Sequence, residues 1–205
     1  MKRSLVLCLT TAFLLSTAHR APAPISEETR TPAPEQSAKP KPKRQTSSPQ
    51  PKSEAAVNRK PFNIPQSQMT ASATSQHGGY EASKAIDGNA NTMWHTPFNE
   101  LWFGVPLVSL PQSIMLNLGG TYNVTALHYL PRQDGYLNGA ISSYRVYVST
   151  DGSNFTLIKA GSWASDQTEK TATFAPTKAS YIRLEAVAAY AGYASAAELN
   201  VTATR

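Results

Sequence analysis

The sequence has almost no sulfur with which to cross-link or activate the chain. Its 205 residues include a single cysteine, Cys8, which falls in an N-terminal segment that we predict to be removed. Disulfides, thiol catalysis and thiolate metal sites all need a cysteine in the mature chain. Its loss therefore excludes a disulfide scaffold, a cysteine-dependent enzyme and a thiolate zinc site.

Long apolar runs and long amphipathic helical patterns are also missing. The longest apolar stretch, residues 4–18, follows a short basic start and ends in small residues, which is typical of a secretory signal peptide spanning residues 1–18. About fifteen apolar residues are few for a membrane span, which needs about 20, although retention of the segment as an anchor is the alternative. We expect a secreted or otherwise extracytoplasmic protein (periplasmic or cell-surface) without stable membrane insertion.

Acidic residues are scarce overall, at 13 against 19 Lys and Arg, but the imbalance is local. Residues 19–61 hold nine basic residues against four acidic ones and are rich in proline and serine, whereas residues 62–205 hold eight against nine. A segment with so few large apolar residues cannot offset the entropy of ordering. We therefore predict a disordered linker over residues 19–61. Because the positive charge belongs to this linker, no nucleic-acid partner is expected.

Alternating apolar and polar residues dominate residues 62–205. Tyr144, Val146 and Val148 share one face of a predicted strand, and residues 182–186 repeat the pattern. About 144 residues are enough for one core. Many short strands without a long helix predict an all-β sandwich or barrel. Other predicted strands are residues 113–118, 124–130, 171–174 and 199–203, separated by the turn signals Gly119-Gly120, Asp134-Gly135, Asn138-Gly139 and Asp151-Gly152.

Residues 84–96 place three short oxygen-bearing side chains around a glycine. Asp87, Asn89 and Thr92 lie within six residues, and Gly88 permits a tight turn between them. Oxygen ligands of this kind are those that Ca²⁺ prefers, and the distant Glu198 offers a further carboxylate. An Asp-Gly-Asn run is also an ordinary turn signal, so a simple turn remains the alternative.

The string K-A-I-D-G-N-A-N-T-M-W-H-T at residues 84–96, with A-A-E-L-N-V at residues 196–201, resembles the discoidin, or coagulation factor 5/8 C-terminal type, domain. Within that superfamily it is similar to the family 32 carbohydrate-binding modules and to the galactose-binding domain of galactose oxidase. The resemblance covers about residues 62–205 and implies a jelly-roll β-sandwich, galactose-binding-domain-like. Further matches are L-P-Q-S-I-M-L-N-L-G at residues 110–119, L-H-Y-L-P-R-Q-D-G-Y-L-N-G at 127–139, Y-R-V-Y-V-S-T-D-G at 144–152 and Y-I-R-L-E-A at 181–186.

The resemblance implies a structural calcium ion that lies away from the sugar. An all-oxygen ligand set with two carboxylates suits Ca²⁺ better than zinc or copper, which favour nitrogen and sulfur. The implied side-chain ligands are Asp87, Asn89, Thr92 and Glu198, joined by the backbone carbonyls of Lys84, Thr92 and Ala197.

The resemblance also implies a sugar site built from His95, Arg132 and Asn138. Sugar binding needs planar donors and acceptors for the hydroxyls and an aromatic face for the C–H patch of the ring. Tyr193 is the favoured aromatic and Phe98 the second. Two further tyrosines are weighed for stacking: Tyr136 stays a third candidate, and Tyr80 is interpreted as a packing or surface residue. Trp94 is assigned to the core, and Trp102 and Trp163 have no motif assignment.

The expected function is a non-catalytic carbohydrate-binding module that recognises terminal galactose or N-acetylgalactosamine on extracellular glycans. The alternative is a discoidin-type adhesion domain that binds a protein or membrane surface through apolar loop tips such as residues 101–103. An enzyme is not expected, because no G-x-S-x-G, H-E-x-x-H or phosphate-binding loop occurs. Any catalysis would come from a partner protein. The sequence does not identify such a catalytic partner, nor a partner that would supply several binding sites.

Overall fold

The structure is a computed structural model that describes residues 60–98 and 108–205, together with the backbone of residues 101–102 and 105–106. The predicted signal peptide, and the predicted linker apart from its last two residues, lie outside the described residues. So do the side chains of residues 101–103, the apolar tip considered for adhesion. No helix in the described part of the chain is long and apolar enough to cross a membrane.

The described residues form β-strands and three short 3₁₀ turns, without an α-helix, which confirms the all-β fold. The turns are Gln66–Gln68, Ala82–Ile86 and Tyr190–Gly192. The strands are β1 (Pro61–Asn63), β2 (Thr70–Ala73), β3 (Trp94–His95), β4 (Leu101–Trp102), β5 (Val105–Pro106), β6 (Gln112–Leu130), β7 (Ile141–Ser149), β8 (Thr156–Ser162), β9 (Lys170–Ala189), β10 (Ser195–Ala196) and β11 (Glu198–Thr204).

The long antiparallel strands β6 and β9 belong to both layers of the sandwich. The first half of β6 pairs with β2 and with the second half of β9, where Leu116 lies opposite Ile182. Its second half pairs with β11 and the first half of β9, where Leu127 lies opposite Val201 and Ala172. β7 and β8 extend the first group, and β1 extends the second. The result is the jelly-roll β-sandwich that the resemblance implied.

The glycine pair at residues 119–120 does not separate two strands, which differs from the sequence prediction. β6 continues through it, and its pairing with β9 slips between Asn117 and Tyr122. Gly119 has a φ of 70°, and a Cβ there would lie 2.4 Å from the carbonyl oxygen of Gln68. The site therefore requires glycine, and the irregularity bends β6 so that it can serve both layers.

The apolar faces predicted from the alternating pattern form the core. Val146, Ile182 and Leu184 are each at most 2% exposed. Trp94 is fully buried, as predicted, and its Nε1 donates to the carbonyl of Ser75 at 2.9 Å. Trp163, which had no motif assignment, stacks on Tyr144 with ring centroids 3.7 Å apart and packs against the core.

Candidate functional site

A cleft of about 350 Å³ lies at the end of the sandwich where β6 ends and β11 begins. The five residues that the resemblance implied for sugar binding all line it, although they come from three segments far apart in the chain. These segments are β3 with the residues after it, the loop after β6, and the residues before β10. The lining residues are Tyr80, His95, Phe98, Arg132, Tyr136, Asn138 and Tyr193.

Backbone hydrogen bonds tie the first and third of these segments together. β3 pairs with β10, which places Ser195 opposite His95. Beyond that pair, the Thr96 amide donates to the Ala194 carbonyl at 2.9 Å, and the Ala194 amide donates to Thr96 Oγ1 at 3.0 Å. Because main-chain pairing and the Thr96 hydroxyl make these contacts, the positions of His95 and of the residue before Ala194 depend on each other.

The loop after β6 joins the same assembly through Gly139. The Gly139 amide donates to the Tyr190 carbonyl at 3.0 Å, and the Ser195 amide donates to the Gly139 carbonyl at 2.9 Å. Gly139 has a φ of 89°, and a Cβ there would lie 2.6 Å from Ser195 Oγ. Glycine is therefore required at this position, and it sets the preceding Asn138 at the edge of the cleft.

His95 is 2% exposed and has a defined tautomer. Its Nδ1 lies 2.6 Å from the Thr96 carbonyl oxygen, and because a carbonyl only accepts, we assign the ring proton to Nδ1. Burial lowers the pKa of His95, the Thr96 carbonyl raises it, and the charge of Arg132 lowers it further. The imidazole is therefore neutral at neutral pH, and Nε2 is a hydrogen-bond acceptor.

Arg132 is held by a two-pronged ion pair with Asp134. Nε donates to Asp134 Oδ1 at 2.7 Å and Nη2 to Oδ2 at 2.5 Å, while Nη1 donates to the Asn138 carbonyl at 3.1 Å. These hydrogen bonds raise the pKa of Arg132 and lower that of Asp134. A guanidinium has five N–H donors, so three are used here and one remains on each Nη. Arg132 thus presents two neighbouring donors in a fixed orientation.

The aromatic side chains form one connected group around His95. Phe98 packs edge-on to His95 with ring centroids 5.0 Å apart, and the ring centroids of Tyr193 and His95 are 5.7 Å apart. Tyr193 Oη also donates to the Phe98 carbonyl at 3.4 Å. Tyr136 differs, because it is 65% exposed and its ring centroid lies 5.5 Å from the Arg132 guanidinium carbon. Tyr193 and Phe98 are therefore cleft walls, and Tyr136 lies at the rim.

Tyr80 lines the cleft, although its sequence context predicted a packing or surface residue. Its ring contacts Phe98 edge-on at 5.3 Å, and its carbonyl accepts from the His95 amide at 3.2 Å. A glycine pair, Gly78-Gly79, precedes Tyr80, and such a pair is by itself only a turn signal. Its role in the cleft depends on pairing with residues about fifteen positions away, and no local pattern carries that information.

The predicted calcium ligands form a second group, at the start of β11. Asp87 accepts the Asn89 amide at 3.0 Å and the Thr92 hydroxyl at 2.9 and 2.7 Å. Glu198 is 7% exposed, and its Oε2 accepts from Gln66 Nε2 at 2.5 Å, a partner that no motif indicated. Its Oε1 is buried without a hydrogen-bond partner among the described residues.

The electrostatics of this group fit a bound cation. Burial raises the pKa of Glu198, the hydrogen bond from Gln66 lowers it, and the nearby charge of Asp87 raises it, so that the net direction is upward. An unpaired buried carboxylate oxygen beside a second carboxylate is stabilised when a cation lies between them. Among the described residues no group of three or more His, Cys, Asp or Glu is placed to hold a metal ion, so the remaining ligands would be neutral oxygens. Amide, hydroxyl and carbonyl oxygens with two carboxylates suit Ca²⁺.

Sequence comparison relates the chain to one domain family and to several curated enzymes. The sequence model of the family described as F5/8 type C domain matches residues 68–199. The A type blood N-acetyl-alpha-D-galactosamine deacetylase of Flavonifractor plautii is 43% identical over 155 residues, which are 73% of this chain and 19% of that protein. Galactose oxidase of Gibberella zeae is 38% identical over 141 residues, 67% of this chain and 20% of that protein. The chain spans about a fifth of the length of these curated relatives.

Structural comparison leads to carbohydrate-binding modules. A family 32 module of Clostridium perfringens, in complex with GalNAc-β-1,3-galactose, has a TM-score of 0.63 and 45% identity and covers 68% of this chain and 99% of its own. The family 32 module of C. perfringens NanJ, in complex with galactose, has a TM-score of 0.63 and 43% identity, with 69% and 98% covered. Both modules are therefore similar to this chain over nearly their whole length.

Proposed function

The chain belongs to the F5/8 type C domain family, as its sequence indicated, and on this basis we propose that it is a non-catalytic carbohydrate-binding module for terminal galactose or N-acetylgalactosamine. The observation that carries the proposal is the convergence of His95, Arg132 and Asn138 with two aromatic walls in one cleft. The similar modules held in complex with galactose and with GalNAc-β-1,3-galactose support the sugar class. The predicted signal peptide supports extracellular glycans as targets.

The chemistry of the cleft suits a sugar with an axial hydroxyl. His95 Nε2 accepts a hydrogen bond from one hydroxyl, and the two free N–H groups of Arg132 donate to neighbouring oxygens. The axial 4-hydroxyl of galactose places polar groups on one side of the ring and leaves a C–H patch for an aromatic wall such as Tyr193. A sugar whose 4-hydroxyl is equatorial leaves one hydrogen-bonding group of His95 or Arg132 unpaired. This costs about 1–3 kcal/mol, or roughly 5- to 150-fold in affinity.

Binding to a single sugar is expected to be weak. Few atoms are desolvated in an open cleft and each hydrogen bond replaces one to water, so we expect a Kd of about 0.1–1 mM. Useful attachment then requires several linked sites or a high local concentration. The module would hold a catalytic or multivalent partner near its glycan, and the chemistry of that partner is outside this chain.

A calcium ion bound by Asp87, Asn89, Thr92, Glu198 and the carbonyls of Lys84, Thr92 and Ala197 is part of the same proposal. Its role would be structural: it ties the 87–92 turn to the first residue of β11. Saturating Ca²⁺ at about 100 times its Kd would add about 2.7 kcal/mol to the free energy of unfolding. We expect EDTA to lower the melting temperature of the wild type and to have much less effect on Glu198→Gln.

The matched control for the metal is Glu185→Gln, which removes a carboxylate that pairs with Arg145 outside the site. This variant should respond to EDTA as the wild type does. A wild-type melting temperature that is the same in EDTA and in excess Ca²⁺ would contradict the calcium proposal and leave the sugar proposal intact.

The sugar proposal is tested with a glycan array on the full chain in the presence of Ca²⁺, run beside Arg132→Ala and Arg145→Ala. Arg145 is an exposed arginine on β7, so its variant controls for lost charge. We expect binding to galactose- or N-acetylgalactosamine-terminated glycans that Arg132→Ala abolishes and Arg145→Ala keeps. A folded wild-type chain that binds no glycan on the array would overturn the proposal.

A further inference from the structure

A second and larger cleft, of about 540 Å³, lies at the other end of β11. Its lining includes Thr204, the last residue of β11, whereas the first cleft lies beyond the start of that strand, where Ser195 pairs with His95. A strand advances about 3.3 Å per residue, so the ends of β11 at Glu198 and Thr204 are roughly 20 Å apart. The two clefts are therefore distinct, and no residue lines both.

The second cleft has a rigid aromatic wall. Phe62 and Tyr122 pack edge to face with ring centroids 6.2 Å apart, and both rings rest against the core. Gln68 Nε2 donates to Tyr122 Oη at 2.7 Å, which holds the phenol in place. Asn123, a second residue with a side-chain amide, also lines the cleft. An aromatic ring supplies the apolar face, and an amide group supplies the donor and acceptor, that binding of a sugar ring requires.

The cleft also has two cationic side chains in its lining. Lys178 and Arg205 line it, and no Asp or Glu is among its described lining residues. The ion pairs of the described residues use other lysines and arginines, and the Arg205 guanidinium carbon lies 5.5 Å from the Phe62 ring centroid. Since residues 62–205 carry no basic excess overall, two cations at one aromatic wall with no ion-pair partner among the described residues are a local feature.

We propose that this cleft is a second saccharide site, which takes a sugar bearing a carboxylate or a sulfate. The ring lies against Phe62 and Tyr122, the anionic group lies between Lys178 and Arg205, and hydroxyls contact Gln68 and Asn123. Arginine suits either anion because its fork of donors matches two oxygens of one group. A domain with both sites can bind a neutral terminal sugar and an acidic terminal sugar at the same time. This raises its apparent affinity for glycans that carry both.

The affinity of the second site should be low and salt-dependent. Exposed ion pairs contribute little individually, since water and ions screen them. We expect a Kd in the millimolar range that rises several-fold when ionic strength is raised from low to high, in contrast to galactose binding, which depends mainly on neutral groups and one arginine.

The experiment titrates the full chain with methyl β-D-glucuronide, N-acetylneuraminic acid and N-acetylglucosamine 6-sulfate, and measures binding by calorimetry and saturation-transfer NMR. The first two probes test a carboxylate and the third tests a sulfate. Lys178→Ala and Arg205→Ala should each weaken binding of the preferred probe by about threefold or more. Lys159→Ala, a lysine on β8 outside the cleft, is the matched control and should bind as the wild type does.

Arg132→Ala separates the two sites, because it should lose galactose binding and keep the acidic sugar. The proposal is overturned if no probe binds at about 20 mM, well above the expected Kd, or if binding is lost in Arg132→Ala and kept in Lys178→Ala. Equal binding of sodium acetate or sulfate would also overturn it, because the cleft would then hold an anion without recognising a sugar. If the wild-type chain fails to bind galactose, the titrations with the acidic sugars still test this proposal, because they concern the second cleft.

Discussion

Replacing Asp134 with asparagine should weaken galactose binding without unfolding the domain. Asp134 accepts two hydrogen bonds from the Arg132 guanidinium, which leaves one free N–H on each Nη for a ligand. An asparagine has one acceptor oxygen, and its NH₂ group would face the second guanidinium donor. The guanidinium would lose its fixed orientation and would have to be ordered when the sugar binds.

The size of the effect follows from that ordering. Asp134 is 39% exposed, so the Coulomb attraction itself is largely screened and contributes little to stability. Immobilising one long side chain on binding costs about 0.5–1.5 kcal/mol, which corresponds to a Kd raised about 2- to 13-fold. Arg132→Ala, in contrast, removes two charge-assisted hydrogen bonds to the sugar and should abolish measurable binding.

Calorimetric titration of the full chain with methyl β-D-galactoside measures this difference. Asp151→Asn is the matched control: Asp151 accepts hydrogen bonds within the β7–β8 turn and is absent from the cleft. This variant should change the melting temperature and leave the Kd unchanged. An unaltered Kd in a folded Asp134→Asn variant would refute the positioning role of Asp134.

Three further predictions concern residues that shape the cleft. Gly139→Ala should destabilise the domain by about 1–3 kcal/mol in chemical denaturation and weaken sugar binding, because a Cβ there clashes with Ser195; unchanged stability would show that the loop can shift. Burial lowers the pKa of His95 below the unfolded value of about 6.5, so the unfolded chain binds more protons in that range and stability falls as pH drops below about 6.5. Melting curves from pH 7 to 5 should therefore decline more steeply for the wild type than for His95→Asn, and parallel curves would contradict this. Tyr80→Ala should weaken galactose binding by loosening Phe98, whereas Tyr190→Ala, at a tyrosine outside the cleft lining, should not; equal Kd values for the two variants would exclude a role for Tyr80.

Much of the fold was predictable because it is encoded over short distances in the chain. Period-two alternation identified the core-facing residues of β7 and of the second half of β9, such as Val146 and Leu184. The position of Trp94 in the core was also predicted. The strand boundary at residues 119–120 was wrong, because a glycine pair permits both a turn and a bulge and only the contact of Gly119 with Gln68 distinguishes them.

The residue types of the candidate site came from a family motif, and their assignment to sugar and calcium remains a prediction. The sequence by itself determined an all-β fold, family membership and a set of polar and aromatic residues. Tertiary structure alone decided that His95, Arg132 and Tyr193 meet in one cleft, that Thr96 sets the tautomer of His95, and that Asp134 orients Arg132. The physical reason is range: local patterns determine which face of a strand is apolar, whereas contacts between residues many positions apart depend on how the bent strands pack.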